Sequence, residues 1–154
     1  MNFKVFRFIN LFLAGLLTGN EFGGFVGFHP ALHELSTEAH ARAEKAITRR
    51  LGRIMPTFMT ATIASFVPVV LRSPGRGSFF SLMGMLCYGS MLGVTFLGNM
   101  PVNRRMLEMD PDTVSGEELK ELRRRWERFH AVRNLLNFAG FTFALSAALF
   151  SKDT

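Results

Sequence analysis

The chain has 154 residues, 48% of them hydrophobic and 19% charged, with a formal net charge of +6. That apolar content excludes a disordered chain, and a single Cys excludes an intrachain disulfide framework or a CxxC…CxxC zinc site. Seventeen Phe against one Trp and one Tyr is a poor set for reading bases, so the basic balance needs another explanation.

Four apolar blocks supply it. The first runs over about 8–28, broken by Asn10, Asn20 and Glu21. The second (54–71) and third (79–100) carry no charge, and Arg72 and Arg76 lie in the loop between them. The fourth covers about 133–150 and counts as a span if Arg133 snorkels towards the interface. A spanning helix needs roughly 17–25 mostly apolar residues. Soluble helices would show a polar face at helical period, and blocks two and three show none. Lipid leaves helices as the option for separate spans. The expectation is an all-α, four-transmembrane-helix bundle forming a single membrane domain over 1–154. Lys4 and Arg7 before the first block imitate a signal peptide, but no small-x-small site follows Leu17, so the helix reads as retained.

With four spans, loops one and three share a side. They hold thirteen Lys and Arg, against five (Lys4, Arg7, Arg72, Arg76, Lys152) on the other side. The positive-inside rule then puts loops one and three in the cytoplasm and both termini outside the cell (inner) membrane. The loops read as helices that extend the spans. Ser36–Arg53 is one, with Glu38, Arg42, Glu44 and Lys45 taken as solvated charges. In loop three, Asp110-Pro111-Asp112 marks a turn. Ser115 with Glu118 then forms a capping box that starts a helix running into span four.

Gly15, Gly19, Gly23 and Gly27 recur every four residues, as do Gly140, Ala144 and Ala148; Gly89 and Gly93 show the same interval. Such ridges let helices pack closely in lipid. The stretch Gly19–Gly24 lacks the strand and spacing of a nucleotide loop.

Polar groups inside spans are candidate functional residues, because each is costly there. Helix one carries Asn10, Glu21, His29 and His33. Glu21 and His29 are separated by about 12 Å along a regular helix. Glu21 reads equally as a structural interhelix hydrogen-bond partner and as a proton-handling acid or base. His29 and His33, at i,i+4, read as interfacial histidines or, less readily, as metal ligands. Asn99-Met100-Pro101-Val102-Asn103 closes helix three, and Pro101 frees a backbone carbonyl. Trp126, His130, Arg133 and Asn137 form one stripe of helix four. The topology brings these groups to one end of the bundle, which implies a pocket walled by Phe and Met.

Those motifs carry a family resemblance. Thr18-Gly19 with its following glycines, Pro30-Ala31-Leu32, an Asn-x-Pro-x-Asn at Asn99–Asn103, and a Trp-x-x-x-(Asn or His)-x-x-Arg at Trp126–Arg133 occur in order along almost the whole chain. The sequence resembles the anthrone-oxygenase-like family of small four-helix membrane proteins, largely a domain of unknown function. The resemblance implies oxidation of anthrones to anthraquinones without an evident cofactor, at a site lined by Asn99, Asn103, Trp126, His130 and Arg133. Glu21 and His29 stand where the family more commonly has apolar residues, which implies a distinct subgroup.

Three functions follow. The first is a cofactor-free oxidoreductase acting on a small hydrophobic, phenolic or polycyclic substrate. In it Glu21 or His130 serves as base, Arg133 as oxyanion partner, and His29, Asn99, Asn103, Trp126 and Asn137 bind substrate. The second is a metal-binding membrane protein using His29, His33, Glu21 and His130. The third is a non-enzymatic lipid-binding or accessory subunit whose basic side holds anionic headgroups. The expected partners are membrane lipid and a small hydrophobic molecule, with room for a homo-oligomer and no call for nucleic acid.

Overall fold

A computed structural model describes residues 2–150; Lys152, counted above for topology, lies outside the described residues. The described residues are helical and contain no strand. Four long helices account for nearly all of them: α1 (Phe3–Leu32), α2 (Thr37–Arg72), α3 (Arg76–Glu108) and α4 (Gly116–Phe150). Each is long and apolar enough to cross a membrane. Successive helices pack in sequence and α1 closes the ring against α4.

Local chemistry sets the helix ends. Asn2 Oδ1 accepts from Lys4 N (3.1 Å) at the start of α1, and Ser36 Oγ accepts from Ala39 N (3.4 Å) at the start of α2. Ser115 Oγ accepts from Glu118 N (3.1 Å), which is the cap expected for α4. Gly75, at φ 51°, makes the tight connection between α2 and α3, a backbone state that favours glycine. As expected, α2 and α4 run unbroken from polar extensions into apolar spans.

α1 and α3 each widen into one π-helical segment, Gly24–Phe28 and Thr95–Asn99. Both precede a residue followed by proline, Pro30 and Pro101. A proline cannot donate to the carbonyl four residues back. The preceding N–H instead reaches back five residues, His29 to Gly24 O and Met100 to Thr95 O.

Two apolar clusters bracket the polar positions on the helices. Ala14, Leu17, Met59, Phe66, Tyr88, Met91 and Ala144 form one. Ala41, Met106, Met109 and Leu119 form the other, between the polar extensions. Side chains such as Phe8, Leu71, Leu97, Leu135 and Leu149 are exposed, as a lipid-facing surface requires.

The glycine ridge of α1 does not do what its spacing suggests. Only Gly15 meets another helix, at the Phe141 ring; a Cβ on Gly19, Gly23 or Gly27 would meet nothing within 4 Å, and the same holds for Gly89 and Gly93. Gly19 and Gly23 instead border a cavity. Close approach falls to Gly84, Gly98 and Gly140: a Cβ on Gly98 would lie 2.5 Å from the Phe129 ring, and one on Gly140 would lie 2.9 Å from the Tyr88 ring. Repetition every four residues marks a stripe but not what faces it. Gly98→Ala is therefore expected to destabilise the bundle by about 1–3 kcal/mol through overpacking, while Gly23→Ala leaves stability unchanged or raises it by up to about 1 kcal/mol. Thermal unfolding in detergent micelles compares the two, and equal melting temperatures would contradict this packing assignment.

Candidate functional site

The site begins with two arginines on α4. Arg133 and Arg123 are both buried. A guanidinium in an apolar setting is tolerable only when paired. Arg133 donates from Nη2 to Glu21 Oε1 of α1. It does not snorkel, as the sequence reading required for span four; it turns inward, because a carboxylate is within reach there. The reading of Glu21 as an interhelix partner thus has its partner named.

Arg123 lies 2.7 Å (Nη1) from Glu44 Oε1 of α2 and 3.1 Å (Nη2) from Glu127 Oε1. Glu44, taken from sequence as a solvated charge, is 2% exposed. The correction follows from the face it occupies: His40, Ala41 and Glu44 are the buried stripe of the polar extension of α2. Burial pushes the Glu44 carboxyl up, but its contacts with His29, Arg123 and His40 outweigh that and hold it below the usual carboxylate range. Burial, aided by Arg123 and His33, holds the His40 imidazole below its ordinary value against the pull of Glu44. Both groups lie outside the apolar stretch 54–71.

Three aromatic rings fill the space between the two ion pairs. Trp126 stacks on His130 with centroids 4.5 Å apart, His29 stands 4.5 Å from Trp126 and 5.4 Å from His130, and Arg123 lies over the Trp126 ring at 4.8 Å. His130 is 4% exposed, yet neither ring nitrogen is engaged in a hydrogen bond; Nδ1 stands 3.7 Å from Glu21 Oε2. Gly24, in the π-helical segment of α1, faces both imidazoles: a Cβ there would come to ordinary contact, 3.5 Å from His29 and 3.7 Å from His130.

These groups edge a cavity of about 880 Å³, bordered by Glu21, His29, Asn103, Trp126, His130 and Arg133. Met55, Met59, Leu92 and Phe96 supply apolar wall, and Arg49, Arg50, Arg53 and Arg104 also border it. The volume suits a drug-sized apolar molecule.

Of the residues singled out by sequence, Glu21, His29, Asn103, Trp126, His130 and Arg133 converge here. Asn103 Oδ1 accepts from Trp126 Nε1 at 2.8 Å, which leaves its amide nitrogen to donate. Asn99 and Asn137 are fully buried and absent from the cavity border; they donate to Trp126 O (3.2 Å) and Arg133 O (2.9 Å) and fix the α4 backbone. His33 points elsewhere, 2.8 Å from Glu127 Oε1. Among the described residues, no group of three or more His, Cys, Asp or Glu side chains is arranged to hold a metal ion. His40, Glu44 and Arg123 were missed. Arg123 lies three residues before Trp126, so carrying the α4 stripe back one turn reaches it; His40 and Glu44 share an i,i+4 stripe.

Four apolar helices closed around a cavity with buried ionisable groups define a polytopic membrane bundle. Residues 44–143, well over half of the chain, match the family model for anthrone oxygenase. The chain belongs to the anthrone oxygenase family. No curated protein and no solved structure matches it.

Glu44→Gln leaves the Arg123 charge buried without its nearest counterion and is expected to cost about 3–5 kcal/mol of stability. The pH dependence has a definite sign. A His40 held below its unfolded value of 6.5 favours the fold above that pH and loses this contribution as pH falls through 6.5. Glu44, held below 4.5, contributes fully above that value and loses its contribution as pH falls through its lower folded value. Melting curves across this range should therefore fall on acidification, and Glu44→Gln should remove the lower of the two declines.

Proposed function

We propose that the chain is a cofactor-free oxidoreductase that oxygenates a methylene between aromatic rings in a small phenolic or polycyclic substrate. The observation that carries this reading is His130: buried, free at both ring nitrogens, and at the edge of an apolar-walled cavity beside the Glu21–Arg133 pair. In this reading His130 removes a methylene proton and leaves the electron pair on the substrate, delocalised onto an oxygen. Arg133, whose Nε has no partner, and the Asn103 amide stabilise that oxyanion. Glu21 keeps Arg133 in place and neighbours His130 Nδ1. Dioxygen then oxidises the carbanion; it supplies the new carbonyl oxygen and the oxygen of the water that carries away both methylene hydrogens. Family membership supports the reaction class. The distribution of Lys and Arg favours an orientation with loops one and three in the cytoplasm.

His130→Phe keeps an aromatic ring stacked on Trp126 and removes both ring nitrogens. It should lower kcat for oxygen uptake with 1,8-dihydroxyanthrone by about 10²–10⁴-fold without lowering the melting temperature. Undiminished uptake in this variant would rule out His130 as the base.

A second reading rests on a separate observation. Arg49, Arg50, Arg53 and Arg104 border the cavity, and no acidic partner is found for them among the described residues. Such a rim suits the headgroup of an anionic lipid, with its chains among the methionines. A stoichiometric anionic lipid retained through delipidation, in a protein that takes up no oxygen, would favour the lipid-binding role.

A further inference from the structure

A line of titratable side chains leaves the cavity and reaches solvent, and the proposed oxygenation makes no use of it. It starts at His130, whose ring is in edge contact with His29 (centroids 5.4 Å apart). Both rings border the cavity, which has room for a bridging water. His29 Nδ1 lies 3.6 Å from Glu44 Oε1. The same oxygen lies 3.5 Å from His40 Nε2. The His40 ring meets His33 edge-on at 5.2 Å, and His33 Nε2 lies 2.8 Å from Glu127 Oε1. Side-chain exposure stays between 3% and 9% from His130 to His40, then rises to 48% at His33.

Ion pairing alone does not call for this arrangement. Arg123 already neutralises Glu44 at 2.7 Å, so two further histidines on one carboxylate are more than charge balance needs. Nor are they fixed by hydrogen bonds: His29 Nδ1, His40 Nε2 and Glu44 Oε1 are buried without such partners. Their spacings lie just beyond hydrogen-bond range and close with a small side-chain movement. Imidazole accepts a proton on one nitrogen while releasing one from the other, which makes it the side chain suited to passing protons near neutrality.

We propose that His29, Glu44, His40 and His33 form a proton relay that connects His130, at the edge of the cavity, with solvent at Glu127. The relay rests on the assignment of His130 as base. A proton taken from the substrate carbon onto His130 passes through cavity water to His29, then through the Glu44 carboxylate to His40 and His33, and so to water. The electron pair remains on the substrate and no relay member changes oxidation state. Since the oxygenation is proton-neutral overall, the relay returns one proton for each it exports. The charged groups facing it are Arg123 on Glu44, Glu127 on His33, and Glu21 with Arg133 beside His130.

Withholding oxygen isolates the proton step. The full chain in detergent is incubated anaerobically in D2O with 1,8-dihydroxyanthrone, and deuterium entering the methylene is followed by mass spectrometry above the uncatalysed rate. The wild type should exchange. His40→Ala should form the substrate anion to the same extent but exchange at least about tenfold more slowly, since the proton held on His130 returns to carbon. Added imidazole should restore the rate by filling the gap. Wild-type exchange in His40→Ala overturns the relay. Slow exchange that imidazole does not rescue also overturns it, because His40 would then be structural. Absence of exchange in the wild type overturns it too; aerobic oxygen uptake by the same preparation then decides whether the proposed function falls with it.

Discussion

A guanidinium inside an apolar helical bundle must find a carboxylate, and α4 imposes that demand twice. Arg123 and Arg133 lie ten residues apart on one helix and are both buried. Glu44 comes to the first from α2 and Glu21 to the second from α1. Helices in lipid have no hydrophobic drive towards one another, whereas leaving either arginine alone would cost several kcal/mol. The two pairs therefore fix the rotation and depth of α4 relative to α1 and α2. With that rotation fixed, the residues between the arginines on the same stripe, Trp126 and His130, face inward. The aromatic cluster follows from the charge pairing.

The two prolines act on the helices that flank α4. Pro30 and Pro101 each leave a carbonyl unserved, and α1 and α3 answer with a π-helical segment. The widened turns place Gly24 against His29 and His130, and Gly98 against Phe129. A regular α1 would turn His29 away from the direction it takes here. Pro56 and Pro68 lie inside α2, where no π-helical segment forms. Proline alone does not produce the device.

The four helices were legible because lipid imposes long, mostly apolar blocks, and the start of α4 because Ser115 and Glu118 form a capping box. The inward stripe of α4 was legible for the same reason, since Asn, His and Arg are costly in a span. Glu44 was not. It sits among Glu38, Arg42 and Lys45 in a segment where charge is cheap, and composition cannot separate a buried carboxylate from a solvated one. Arg42 shows the contrast: it lies two residues away, exposed, and pairs with Glu38 and Asp112 at the surface. What separates them is the partner on a helix some eighty residues later, and that is tertiary information. The α1 glycines failed for a related reason. Spacing identifies the stripe, but only the neighbouring helices decide whether it meets a side chain or an opening.

The composition of the buried site also bears on its chemistry. Glu21 and Arg133 form an ion pair beside His130, so the pairing adds no net charge where a net charge would be expensive. In the proposed reaction, moving a proton from a substrate carbon to His130 would create one cation and one anion within the same cluster, and its net charge would not change. Arg133 with a buried anionic partner already in place would attract a second anion weakly; in the proposed step the imidazolium formed alongside it would supply the missing positive charge. Without Glu21, Arg133 would draw any anion into the cavity. Without Arg133, Glu21 would oppose the oxyanion. Under the proposed reaction the pair would bind a neutral ground state and tolerate charge only when it is formed by proton transfer inside the site, the differential binding that lowers a barrier.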